Sequence, residues 1–185
     1  MICEEMLEGR YVVLKSCTID DAEFTLAIRQ NPKFTSFLPK IEQTLEQQKE
    51  WIRQQREKAG DYFFVVWDKK GNRIGTVGLC EIAKGQYESN RLTMLGDSFE
   101  ATEAVLLLFQ FGFKILNLDH IGSFIFADNK RAIRFNKMFG GIISEPYPNT
   151  NNEVKNSYGR MIVRCKFLRE NFPLIEKKIT ISLYS

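Results

Sequence analysis

Ala127-Asp128-Asn129-Lys130-Arg131-Ala132-Ile133-Arg134-Phe135-Asn136-Lys137-Met138-Phe139-Gly140 follows an apolar run over residues 121–126 that reads as a buried strand. The stretch then starts a helix and stops it. Asp128 or Asn129 can cap the start, because a short side-chain oxygen accepts an otherwise unpaired backbone N–H. Gly140 and Gly141 supply the stop, since glycine enters the left-handed conformation without steric cost. Asn129, Ala132 and Asn136 recur at helical spacing and share one face. That face carries two amides and a small residue, not a plain apolar stripe.

Upstream, residues 101–116 predict a helix that is apolar nearly all round, the pattern of a helix buried on more than one side. Three strands precede it, over 62–67, 73–80 and, more weakly, 88–95. Lys69-Lys70-Gly71-Asn72 makes the first hairpin turn, and Lys84-Gly85-Gln86 lies in the second connection. A first strand covers 11–15. Thr18 with Asp21 approximates a capping box for a helix that ends before Asn31-Pro32. Residues 33–43 read as loop. Thr44 with Gln47 is a cleaner box and opens a helix over 45–58, which Gly60 ends. Downstream of the motif, 145–156 is a mobile loop by composition and 157–166 a strand. Residues 167–172 form a short helix broken by Pro173, and 179–184 alternate like an edge strand. The order β-α-α-β-β-β-α-β-α-β-β implies an α/β (α+β) domain. Its central sheet is mixed but mostly antiparallel, of about seven strands, flanked by helices on both faces. One domain spans the 185 residues, with 167–185 as a C-terminal extension.

Hydrophobic residues make up 44%, charged residues 26%, and the net charge is +3, an ordinary globular composition. The mild positive balance suits an anionic cofactor and is too small to argue for nucleic acid. Cys3, Cys17, Cys80 and Cys165 lie far apart, without a C-x-x-C pair or a nearby histidine. They read as reduced thiols rather than as a zinc site or a disulfide. No N-terminal segment has the basic-plus-apolar form of a signal, and no apolar run spans a bilayer. A soluble cytoplasmic protein is expected.

The strand–Asn–helix–Gly unit resembles the second half of the acetyl-CoA-dependent N-acetyltransferase fold, the GNAT superfamily. Its usual form there is N-x-x-A-I-x-x-Y-E-K-L-G-F. The element order is similar to that fold over residues 11–166. Ala101-Thr102-Glu103-Ala104 resembles the start of the main helix in the subgroup of ribosomal-protein alanine and aminosugar acetyltransferases. Arg29-Gln30-Asn31-Pro32 is similar to its W-R-N-x-P element, and Leu45-Glu46-Gln47-Gln48-Lys49-Glu50-Trp51 to its second helix. The resemblance implies a GNAT fold with acetyl-CoA as co-substrate and no metal. It implies transfer of an acetyl group to a primary amine, of a protein N-terminus or an aminosugar nucleotide, by direct attack. The alternative is a GNAT-fold binding or regulatory module with weakened catalysis. The partner is then a small-molecule or peptide amine, not nucleic acid or membrane; a homodimer stays open.

Acetyl transfer needs a bound, oriented thioester, a neutral amine, and stabilisation of the oxyanion and the leaving thiolate. The resemblance places the pantetheine arm on Thr93, Met94 and Leu95. It places the diphosphate on the backbone N–H groups of Gly96, Asp97, Ser98, Phe99, Glu100, Ala101 and Thr102, at a helix N-terminus. The usual Q/R-x-x-G-x-G/A falls on Gly96, Phe99 and Ala101, of which only Ala101 fits. Asp97 and Glu100 add negative charge there, Ser98 can cap, and the segment also reads as an ordinary capped turn. Asn129 resembles the asparagine that contacts the arm, with Arg131, Ala132, Phe135 and Asn136 beside it. Asn136 stands where many relatives carry the tyrosine that protonates the thiolate. It has no titratable proton but can donate an N–H to sulfur; it also reads as a solvent-facing helix residue. Glu81 and Glu88 are the candidate general bases. Glu103 reads as a residue favoured by the helix dipole, and His120 as distant from the site. On the acceptor side stand Arg29, Asn31 and Phe34, with Tyr147 a wall residue.

Overall fold

A short strand β1 (Leu7–Glu8) pairs antiparallel with β2 (Val12–Ser16), in which Val12 and Leu14 turn into the core. The computed structural model describes residues 6–38 and 42–185; Cys3 and part of the expected 33–43 loop lie outside them. Thr18 donates its N–H to Asp21 at 2.8 Å, starting a 3-10 turn that leads into α1 (Ala22–Gln30). The expected loop from residue 33 instead opens with a short helix, α2 (Pro32–Thr35). Pro32 has no N–H to lose at a helix start, and the Asn31 side chain accepts the N–H of Lys33 at 2.9 Å. The Thr44–Gln47 box forms as expected and opens α3 (Leu45–Glu57).

Next come β3 (Asp61–Asp68), β4 (Arg73–Ala83) and β5 (Gln86–Met94), paired antiparallel in sequence. Helix α4 (Ser98–Gln110) starts three residues earlier than the sequence pattern suggests. It runs on as a π-helical segment, Phe111–Ile115. There Gly112 presses on the sheet: a Cβ at that position would lie 2.8 Å from Ile121 Cδ1 and 3.1 Å from Leu79 Cδ1. Strand β6 (His120–Phe126) leads into α5 (Lys130–Met138), which Gly140 ends at φ 77°. The chain closes with β7 (Ile142–Ile143), β8 (Tyr147–Pro148), β9 (Met161–Leu168) and α6 (Phe172–Tyr184).

The sheet runs β1-β2-β3-β4-β5-β6-β9-β7, with β8 also on β9. Its β5–β6 pair is parallel. One face packs Phe64, Leu79, Leu108, Phe109, Ile121 and Phe167 into the main core under α4 and α6. The other holds Cys17, Ile52, Phe63 and Val65 under α1 and α3.

Two expectations are corrected. Residues 179–184 are helical, not an edge strand. Pro173 begins α6 instead of breaking a helix, and Phe172, Ile179 and Leu183 bury one stripe in the main core. The stretch 145–156 carries β8 and a fully buried Asn149, whose amide donates to Val154 O at 2.7 Å and Ser157 O at 2.9 Å. No helix among the described residues is long and apolar enough to cross a membrane.

Candidate active site

Strands β5 and β6 pair at Tyr87↔Ile121 and Glu88↔Gly122. Among the described residues no further ladder pair joins them, and β6 continues against β9 as far as Phe126↔Ile162. The two strands therefore splay, leaving backbone N–H and C=O groups of β5 beyond Glu88 open to a ligand. A bulge accompanies the divergence: the β4–β5 register shifts between Thr76 and Gly78, and Arg91 sits at φ 57°. A non-glycine residue there is strained unless its surroundings hold it. Asp61 holds Arg91 through a bidentate pair (Nη2 to Oδ2, 2.9 Å), and the guanidinium lies over Phe63 and Trp51. Burial works to raise the Asp61 pKa, but the Arg91 hydrogen bonds and charge, with Gln55, hold it below the ordinary range.

The splay opens a cleft of about 310 Å³. Leu92, Thr93 and Met94 line it from β5, Ala101 from α4, and Asn129, Arg131, Ala132, Phe135 and Asn136 from the start and face of α5. Lys33, Phe34, Phe37 and Leu38 cover it from α2 and the turn after it. The expected cofactor residues on β5 and α5 thus meet in one cleft with Ala101 and Phe34. Leu95, Gly96, Asp97, Ser98, Phe99, Glu100 and Thr102 do not line it.

The start of α4 explains that gap. Asp97, not Ser98, is the cap: its Oδ1 accepts the N–H of Glu100 at 2.9 Å. The Glu100 Oε2 accepts the N–H of Asp97 at 2.8 Å. Gly96 makes room for this box, since a Cβ there would lie 2.3 Å from Glu100 Oε2. By helix geometry the N–H groups of Ser98 and Phe99 are left without an intrahelical partner. The Phe99 ring packs 5.9 Å from Tyr11. On α5, Asn129 is the cap, accepting the N–H of Ala132 at 3.0 Å, while Asp128 pairs with Arg160. Asn136 Nδ2 donates to Ala132 O at 2.8 Å.

Glu81 and Glu88 face opposite ways, because they are consecutive to the pairs Cys80↔Glu88 and Glu81↔Tyr87. Glu81 accepts the N–H of Gly85 in the hairpin at 2.7 Å. Glu88 stands at the last β5–β6 pair, on the α1/α3 face, and its Oε1 is buried with no hydrogen-bond partner. Burial raises its pKa, and Arg164 pulls the other way. Tyr147, on β8, has its phenol pKa raised by burial and by Glu153, with Arg164 and Glu88 also in electrostatic reach.

A family model, the acetyltransferase (GNAT) domain, matches residues 12–141. The chain belongs to the GNAT acetyltransferase family. None of the curated proteins matches its sequence. Among solved structures, a GCN5-related N-acetyltransferase from Brucella melitensis superposes with TM-score 0.80 at 20% identity, covering 97% of this chain and 86% of that one. Spermidine N-acetyltransferase from Vibrio cholerae, solved with CoA and spermine, gives 0.78 at 18% identity over 89% and 99% of the two chains. The ribosomal-protein-S5-alanine acetyltransferase of Vibrio fischeri gives 0.75 at 15% identity over 91% and 98%.

For a GNAT member, the open strand edges fit the amides of an acetyl-CoA arm, and Lys33 and Arg131 offer positive charge within the same cleft. The carboxylates at the start of α4 oppose a diphosphate. Arg29 lies apart from the cleft, lining a cavity of about 180 Å³ with Gln48, Trp51 and Arg91. Asn31 caps α2. His120 is the first residue of β6, at the opposite end of that strand from the Asn129 cap, and does not line the cleft. Glu103, read from the sequence as a residue favoured by the helix dipole, is fully buried and accepts the N–H groups of Arg10, Tyr11 and Val12 at 2.8, 2.7 and 2.8 Å and the Tyr184 hydroxyl. Sequence reading passed over Asn90; the weak strand character near Arg91 was the available signal.

Proposed function

We propose that this chain transfers an acetyl group from acetyl-CoA to a primary amine, of a protein N-terminus or an aminosugar nucleotide, by direct attack. Acetyl-CoA supplies the activated thioester. The observation that carries the reading is Glu88: a partly buried carboxylate with a raised pKa at the point where β5 and β6 part. A base with a pKa shifted toward neutrality is better matched to deprotonating an amine. The β5 edge over 92–94 orients the arm by backbone hydrogen bonds, and Asn129 and Asn136 flank it from α5. Lys33 and Arg131 face the negatively charged end.

The second reading, a GNAT-fold binding module with weakened catalysis, draws on the Asp97–Glu100 box and on Asn136 in the tyrosine position. Calorimetric titration with acetyl-CoA, followed by an amine screen read by thiol release, separates the two. Binding with amine-dependent thiol release supports the enzyme; binding without release for any amine supports the module.

A further inference from the structure

We propose that Asn90, together with Glu88, forms the seat for the acceptor's amine nitrogen, with Asn90 as a positioning residue. The inference rests on the acetyl-transfer reading above. Glu88 and Asn90 are two positions apart on β5, so both project from the α1/α3 face, about 7 Å apart along the strand. Each presents a buried oxygen, Glu88 Oε1 and Asn90 Oδ1, that has no hydrogen-bond partner among the described residues. Buried polar atoms in folded proteins are nearly always partnered, so two orphans side by side call for a missing partner. Both orphans are acceptors. Their complement is a group with several N–H donors, which is what a primary amine offers.

Glycines adjoin both residues. Gly78 stands opposite Asn90 on β4, and Gly122 opposite Glu88 on β6. A Cβ at Gly78 would lie 2.8 Å from Tyr62 O and 3.2 Å from Asn90 Oδ1. One at Gly122 would lie 3.5 Å from Glu88 Cγ and 3.7 Å from Arg164 Nη2. Glycine thus stands beside Asn90 on β4 and beside Glu88 on β6, while Cys80 is the β4 partner of Glu88. Arg91 and Arg164 flank the trough, the first tied to Asp61 and the second over the Phe124 ring. Asp61 offsets the Arg91 charge, whereas Arg164, which acts on Glu88, opposes a cation beside it.

The test uses 2,2,2-trifluoroethylamine, a primary amine that is neutral at neutral pH, followed by fluorine NMR on the full chain. Its N,N-dimethyl derivative, which has no N–H, is the control. The primary amine should bind saturably and the dimethyl compound should not. Asn90→Leu should weaken binding about five- to tenfold, the loss of one hydrogen bond. Asn90→Asp, which keeps the oxygen acceptor, should restore it. Acetyl-CoA affinity, read by calorimetry, should be the same in all three proteins and shows that the cleft is intact. Equal binding of the two fluorinated compounds, or wild-type affinity in Asn90→Leu, overturns the seat. Failure of acetyl-CoA to bind the wild type overturns the transfer reading instead.

Discussion

Asp97 and Glu100 exchange hydrogen bonds across the first turn of α4, each carboxylate taking the other's backbone N–H at 2.9 and 2.8 Å. The box stabilises the helix but sets two negative charges where the helix dipole would otherwise favour an anion. Asp97→Ser with Glu100→Gln keeps a capping oxygen and removes both charges. Acetyl-CoA should then bind about three- to thirtyfold more tightly, at roughly 0.3–1 kcal/mol per charge, while pantetheine, which has no diphosphate, should be unaffected. Calorimetry with both compounds checks this; an equal gain for both would detach the effect from the diphosphate.

Asn136 and Asn129 should separate kinetically. The Asn136 Nδ2 has one hydrogen on Ala132 O and a second to offer a departing sulfur. That bond strengthens as thiolate charge develops, so its loss acts mainly on the transition state. Asn136→Ala should lower turnover by about tenfold or more, at roughly 1.5–3 kcal/mol, with acetyl-CoA affinity nearly intact. Asn129→Ala should instead weaken cofactor binding and cost about 1 kcal/mol of stability through the lost cap. Wild-type turnover in Asn136→Ala on a verified acceptor would leave Asn136 a helix residue only.

Glu88 carries a linked pair of pH effects. Its pKa is raised by burial, so its contribution to stability is present below the unfolded carboxyl value and is lost as pH rises through the folded one. At neutral pH the ionised group therefore costs stability. Glu88→Gln should raise Tm by about 1–3 °C. The same variant should lose about 10²–10⁴-fold in kcat/KM. In the wild type, kcat/KM should climb with pH through a value above the ordinary glutamate range, and that limb should vanish in the variant. A lower Tm together with unchanged kcat/KM would show that Glu88 is not the base.

Glu103 ties three regions together: α4, the residues entering β2, and Tyr184 at the end of α6. Glu103→Ala would orphan three backbone donors, at a cost of about 3 kcal/mol or more, or roughly 6–12 °C in Tm. Hydrogen exchange should rise first at Arg10, Tyr11 and Val12. A melting point within 1–2 °C of wild type would mean that water replaces the carboxylate at about no cost.

Local grammar made most of the fold legible. The Thr44–Gln47 box, the glycine stops at Gly60 and Gly140 and the Asn129 cap all sit within a few residues of what they control, so the sequence displays them. The tail was misread because Ile179, Ile181 and Leu183 satisfy a two-residue alternation as well as a helical stripe. Burial of Ile179 and Leu183 in the α4–α6 core decides it, and that contact is remote in sequence. The cleft was legible through Asn129, Ala132 and Asn136, which lie on one helix. The pairing of Glu88 with Gly122, the orphaned Asn90 oxygen and the Glu103 clamp depend on which strands meet, and no local spacing encodes them.

In the proposed reaction the cleft beside β5 and α5 holds acetyl-CoA and Glu88 acts as base. The direct measurement is thiol release from acetyl-CoA, paired with mass detection of the acetylated amine, across a panel of alanine-terminated peptides and aminosugar nucleotides. At least one acceptor should give equimolar free CoA thiol and acetylated amine, falling about 10²-fold or more in Glu88→Gln while acetyl-CoA affinity holds. Thiol release that is independent of amine, or undiminished in Glu88→Gln, would contradict it.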